Sequence, residues 1–177
     1  GYSTELIGDH SLDFIRKYGG GEAPFFLYVP FNAPHYGKTD PDSVPVGTVV
    51  LSEGTYQGHE IMNTLQAPPH IQQRFAHMDD PYRRMYAAMV SSMDDQVGRI
   101  LDELESHALI GNTMIWFISD NGGYSERYCG HADNGPLRGE KGTLWEGGIR
   151  IPAMVRWDGM IDPGRVVAQP ICNTDVL

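Results

Sequence analysis

Two short apolar runs, Phe25-Phe26-Leu27-Tyr28-Val29 and Thr113-Met114-Ile115-Trp116-Phe117-Ile118, carry no polar alternation. A strand with one wet face alternates with period two, so an unbroken run of β-formers points to a strand covered on both faces, as in a parallel sheet. The stretches around these runs read as helices. Residues 4–18 place Leu12, Phe14 and Ile15 on one side, with Ser3 or Thr4 as cap. Gly19-Gly20-Gly21 would stop that helix, because glycine tolerates the positive φ at which helices often end. Asp80-Pro81 reads as a cap followed by proline at the first helical position. Met85, Met89, Met93, Val97, Leu101 and Leu104 then recur mostly four apart, marking one face of a long helix. Those methionines read as core filler rather than a cofactor surface. A third strand candidate covers residues 149–155, and its Pro152 assigns it an edge position or a strand start. Helices alternating with apolar strands predict an α/β fold, a mainly parallel sheet flanked by helices.

A chain of 177 residues is the size of one domain, and no linker or repeat divides it. Residues 31–80 show no sustained period and many turn formers, and are read as a long loop. The net charge of −10 disfavours nucleic acid, which is bound through clustered lysine and arginine. No run reaches the roughly 18 apolar residues of a membrane span. Cys129 and Cys172 make neither a disulfide framework nor a zinc pattern.

In open α/β sheets ligands bind beyond the carboxyl ends of the strands. His35 follows the first run, Asp120-Asn121 the second, and Lys141 lies in the glycine-rich loop after that. Asp120 and Asn121 offer adjacent hard oxygen donors suited to Ca²⁺ or Mg²⁺, although Asp-Asn-Gly-Gly is also a good turn. Lys141, between Gly139 and Gly142, can reach an oxyanion or stand as a solvated loop lysine. His35 can be a proton donor, an anion contact or a bystander.

The order of these features resembles the sulfatase family of the alkaline-phosphatase-like superfamily. The resemblance rests on Pro24-Phe25-Phe26-Leu27-Tyr28-Val29 leading to Ala33-Pro34-His35, on Tyr86-Ala87-Ala88-Met89 with Asp94-Asp95-Gln96-Val97-Gly98, and on Ile118-Ser119-Asp120-Asn121-Gly122-Gly123. Its most specific part is Pro136-Leu137-Arg138-Gly139-Glu140-Lys141-Gly142-Thr143-Leu144-Trp145-Glu146-Gly147-Gly148-Ile149-Arg150-Ile151-Pro152. It implies that Asp120 and Asn121 bind the active-site cation, usually calcium, with magnesium the alternative. It implies that Lys141 contacts the sulfate, and that His35 touches the ester and assists departure of the alcohol. His131 is a further substrate-facing candidate, and His59, His70 and His77 are candidates on the long loop.

The family's nucleophile is a formylglycine made from a Cys/Ser-x-Pro/Ala-x-Arg motif, and neither Cys129-Gly130-His131-Ala132-Asp133 nor Cys172-Asn173-Thr174-Asp175-Val176 fits it. The acidic pair that completes the metal site in the family is also without a counterpart. The chain is therefore expected to be an internal, partial sulfatase catalytic domain across residues 1–177, inactive alone. Its substrate would be a sulfate monoester, expected to be of a carbohydrate. The resemblance also implies a secreted or periplasmic bacterial setting. The alternatives are a phosphonate or phosphodiester hydrolase of the same superfamily, separable by the nucleophile motif, and a non-catalytic binding module.

Overall fold

The computed structural model describes residues 1–125 and 131–176. Cys129 lies outside the described residues, and Cys172 is an exposed free thiol beside the Thr174 hydroxyl.

Helix α1 spans Ser3–Tyr18. Its cap is Tyr2 in extended backbone, with no side chain capping it, so Ser3 and Thr4 are helical residues rather than caps. Thr4 is instead wholly buried. Gly19 ends the helix without a positive φ (φ −63°), its N–H donating to the Ile15 carbonyl. What requires glycine there is space: a Cβ would stand 2.6 Å from both the Ile15 oxygen and Leu109 Cδ1. Helix α3, Pro81–Ser106, starts as the sequence predicts, with the Asp80 carboxylate accepting from the Tyr82 and Arg83 amides. The two helices pack with Gly8 against Gln96, where a Cβ would fall 2.2 Å from Gln96 Oε1. Arg16–Glu103 at 2.9 Å and Arg99–Asp9 at 2.8 Å tie their flanks.

Residues 31–80, read as a loop, contain a three-stranded antiparallel sheet. Strands β1 (Gly37–Thr39), β2 (Val49–Tyr56) and β3 (His59–Leu65) lie in the order β1-β3-β2. β2 and β3 form a hairpin closed by Gln57 and Gly58, both at positive φ (52° and 83°), the backbone that matches strand twist in a two-residue turn. A bulge at Leu51 interrupts the register between Val50 and Ser52. The short helix α2, Pro69–Gln72, follows. Leu65, Ala67, Ile71, Met85, Ala88, Met89 and Ala33 form the core cluster. Met85 and Met89 serve there as filler, as expected, and the cluster anchors the turn that carries His35.

β4 (Ile115–Ile118) pairs antiparallel with β5 (Ala153–Arg156), Ile115 opposite Arg156 and Ile118 opposite Ala153. Between them lies α4, Glu146–Ile149, so the third strand starts later than expected, directly after Pro152. Every strand pairing among the described residues is antiparallel, so the parallel pairing implied by the apolar runs is not made within them. The run 25–29 forms no strand there; Phe26 and Tyr28 are 74% and 75% exposed. A strand exists only where a neighbour takes its N–H and C=O groups, and no described segment does so.

Candidate active site

The end of β4 and the glycine-rich loop are one hydrogen-bonded assembly. The Ser119 amide donates to the Pro152 carbonyl, extending the ladder past Ile118, and the Ser119 hydroxyl donates to the Asn121 carbonyl at 2.9 Å. The turn then runs Asp120, Asn121, Gly122, Gly123. The Gly122 amide donates to the Gly148 carbonyl at 2.9 Å, and the Lys141 amide donates to the Gly123 carbonyl at 3.2 Å. Asn134 clamps the same point from the other side. Its Oδ1 accepts from the Gly123 amide at 2.9 Å, and its Nδ2 donates to the carbonyls of Gly123 (3.0 Å) and Gly139 (3.2 Å).

Glycine is needed for this contact. A Cβ on Gly122 would lie 1.8 Å from the Gly147 oxygen, and one on Gly147 would lie 2.1 Å from the Gly139 oxygen. Gly139 and Gly142, on either side of Lys141, both have φ +86°, so the lysine sits in a backbone that side chains elsewhere in the loop would disfavour.

Of the predicted residues, Asp120, Asn121 and Lys141 are thus brought together. Asp120 is exposed, and its carboxylate has neither a hydrogen bond nor an ion pair among the described residues. Asn121 spends its amide N–H on the Gly122 carbonyl at 2.9 Å, which leaves Oδ1 as an open acceptor. Lys141 is half-buried, and no described carboxylate pairs with its ammonium; its ring neighbour is Tyr124, centroid 6.0 Å away. The turn bearing two oxygen donors and the loop bearing an ammonium without a carboxylate partner among the described residues are thus joined through backbone.

His35 lies on a different turn. Its turn follows buried Ala33 and the cis Ala33-Pro34 bond, with the His35 amide donating to the Asn32 carbonyl. Its Nδ1 lies 2.8 Å from the Tyr36 carbonyl. A carbonyl only accepts, so Nδ1 holds a proton in that bond and Nε2 is the nitrogen left for a ligand. No hydrogen bond, ion pair or ring contact joins His35 to Asp120, Asn121 or Lys141 among the described residues. His131 stacks on Tyr82, centroids 4.9 Å apart and planes 17° apart, and its buried Nδ1 has no hydrogen-bond partner among the described residues. The Ala132 amide, next along, donates to the Tyr124 carbonyl and so ties this segment to the same turn. His59, His70 and His77 are exposed, on the hairpin and near α2.

Sequence reasoning passed over Asn134 and Glu140. Glu140 accepts from the Ser125 amide at 2.8 Å and from the Ser125 hydroxyl, holding the segment before residue 126 against the lysine loop. Asn134 stands in Asp133-Asn134-Gly135, whose turn composition hides a side chain with three backbone partners. Among the described residues no cluster of three or more His, Cys, Asp or Glu side chains is placed to hold a metal ion. The open oxygens of Asp120 and Asn121 fit a divalent cation as part of a ligand set.

Comparison with known proteins defines the class. A family model described as Sulfatase matches residues 1–177. A sulfatase of Formosa agariphila is 32% identical over 171 residues, 92% of this chain and 26% of that protein. The steryl-sulfatase of Rattus norvegicus is 41% identical over 178 residues, 98% of this chain and 25% of its own length. Among solved structures, Ps i-CgsB in complex with k-i-k-neocarrahexaose superposes with a TM-score of 0.69 at 30% identity, over 89% of this chain and 28% of that one. The PsFucS1 sulfatase from Pseudoalteromonas sp. gives 0.61 at 29% identity, over 89% and 25%. The fold is therefore the α/β, alkaline-phosphatase-like fold of sulfatases. The chain belongs to the sulfatase family and spans about a quarter of the length of the relatives it matches.

Proposed function

We propose that this chain supplies the cation- and sulfate-binding part of the active site of a sulfuric ester hydrolase acting on a sulfate monoester of a carbohydrate. The observation that carries the reading is the bond between the Lys141 amide and the Gly123 carbonyl, which holds the Asp120-Asn121 turn and the lysine loop together. The carbohydrate substrate class is supported by the neocarrahexaose bound to Ps i-CgsB. The likeness to bacterial sulfatases of Formosa agariphila and Pseudoalteromonas sp. favours an exported, periplasmic or secreted enzyme.

Asp120 Oδ and Asn121 Oδ1 would hold Ca²⁺. When bound, the cation supplies charge neutralisation for the sulfate oxygens. The Lys141 ammonium donates to a sulfate oxygen and lowers the charge that builds up as the S–O bond to the alcohol lengthens. His35 Nε2 would face the bridging oxygen. With a proton there in the imidazolium form, it donates to the departing alkoxide, while the Tyr36 carbonyl fixes the ring through Nδ1. The nucleophile would be a formylglycine located outside this chain, because neither cysteine stands in the motif that forms it. The 177-residue chain alone is accordingly inactive.

The test compares the complete enzyme carrying this segment with its Asp120→Ala and Lys141→Ala forms, assayed on an aryl sulfate and on an aryl phosphate diester. Loss of sulfate hydrolysis in both variants supports the reading. A preference for the phosphate diester would assign the segment to a phosphoryl-transfer relative.

A further inference from the structure

A second feature adjoins the segment bonded to the lysine loop. A cavity of about 300 Å³ is lined by Arg83, Ser125, His131, Ala132 and Asp133. Arg83 comes from the first turn of α3 and the other four from the segment tied to the Asp120 turn. Arg83 and Asp133 are both exposed at its mouth. The Arg83 guanidinium makes no ion pair or hydrogen bond among the described residues, although the Asp133 carboxylate lines the same cavity. Asp133 uses Oδ1 to accept from the Gly135 amide at 2.8 Å, leaving Oδ2. Among the described residues neither ring nitrogen of His131 makes a hydrogen bond, and the ring stacks on Tyr82. Opposite charges that line one space without pairing leave room for a group between them.

Resting on the sulfatase reading above, we propose that this cavity is a subsite for a neutral sugar ring, with Arg83 and Asp133 binding adjacent hydroxyl groups and His131 a third polar contact. The chemistry selects that ligand. A hydroxyl pair both accepts and donates, matching a guanidinium that only donates and a carboxylate that only accepts. A second sulfate would gain from Arg83 but be repelled by Asp133, so a neutral ring suits the pair better than an anion. The position fits a neighbour of the scissile ester. Ser125 lines the cavity and is bonded to Glu140, the residue before Lys141, while Gly123, two residues earlier, accepts from the Lys141 amide. The subsite and the sulfate-binding lysine are thus built on one scaffold.

The experiment uses the complete enzyme carrying this segment and the variants Arg83→Gln, Asp133→Asn and His131→Ala. Binding of chemically desulfated neocarrahexaose is measured by calorimetry, and kcat/KM is measured on an aryl sulfate and on sulfated neocarrahexaose. Arg83→Gln and Asp133→Asn are expected to weaken the neutral hexaose at least tenfold and raise KM for the sulfated one to a similar degree. Their aryl sulfate kcat/KM stays within about twofold, since that substrate has no sugar to place. Equal losses on both substrates would overturn the proposal, as would unchanged hexaose binding. Weakening of the sulfated hexaose alone would assign the cavity to an anion and overturn it too. If no sulfate ester is turned over by the unaltered enzyme, the sulfatase reading fails, while the binding arm still decides the subsite.

Discussion

The Lys141 amide donates to the Gly123 carbonyl across 3.2 Å, and Asn134 brackets that same glycine on both its N–H and its C=O. The Asp120-Asn121 turn and the loop of Lys141, some twenty positions apart, are thereby held together by backbone, with no ion pair between Asp120 and Lys141 among the described residues. Among the described residues neither the Asp120 carboxylate nor the Lys141 ammonium is engaged in an ion pair, which the proposed roles of both groups require.

Gly122→Ala tests how tight the joint is. The new methyl would meet the Gly147 carbonyl oxygen at 1.8 Å, and backbone cannot swing aside as a side chain can. Urea unfolding should show a loss of about 3 kcal/mol, the upper range for overpacking. Gly98→Ala is the control: it lies within α3 with nothing near its Cβ position, and should gain about 0.5–1 kcal/mol. Equal effects from the two substitutions would show that Gly122 is not packed as described.

Asn134→Ala removes three hydrogen bonds to Gly123 and Gly139 at once. Stability should fall by about 1–3 kcal/mol, because partly buried backbone groups are left without partners. Asn134→Asp keeps the acceptor for the Gly123 amide but loses both donors, and its loss should be intermediate. If the alanine variant unfolds at the same urea concentration as the parent chain, the clamp is dispensable.

Glu103 gives a pH-dependent signature. The Arg16 hydrogen bond, before any other influence, holds its carboxyl below the usual carboxylate value. A group depressed in the folded state contributes stability that is complete above its unfolded value and fades as pH falls through its folded value. The stability gap between the parent and Arg16→Gln should therefore be constant near neutrality and close as pH drops below about 4. A gap that widens on acidification would contradict this sign.

Much of this was legible in the residues. Asp80-Pro81 and the methionine stripe locate α3 because capping and helical period are local signals. The hairpin over residues 49–65 escaped because Glu53 and Gly54, poor strand formers, interrupt the β pattern and its turn uses Gln57-Gly58 rather than Asn-Gly. The run 25–29 was read as a covered strand from its composition, yet covering depends on neighbours that sequence pattern cannot supply. Asp120 and Lys141 were singled out through their motif context, and the structure joins their two segments through the Lys141 amide and the Gly123 carbonyl. Asn134 was missed because its role is to bond backbone groups, which leaves no trace in residue chemistry. The open Arg83–Asp133 pair likewise depends on three-dimensional placement alone.

Calcium affinity follows from ligand number. Calcium takes six to eight oxygens, and the Asp120-Asn121 pair offers only two or three. Calorimetric titration of the 177-residue chain should show binding weaker than micromolar. A micromolar or tighter constant that Asp120→Ala abolishes would mean that other residues of this chain complete the site.

The central claim is that the Asp120 turn and Lys141 act on one sulfate group. Its most direct test is the kcat/KM of the complete enzyme on an aryl sulfate before and after Lys141→Ala. Removal of a positioned charge that stabilises the transition state should lower it by about 10²–10³-fold with the fold intact by circular dichroism. A value within about threefold of the unaltered enzyme would contradict the account, because the lysine held against the Asp120 turn would then do nothing for the reaction.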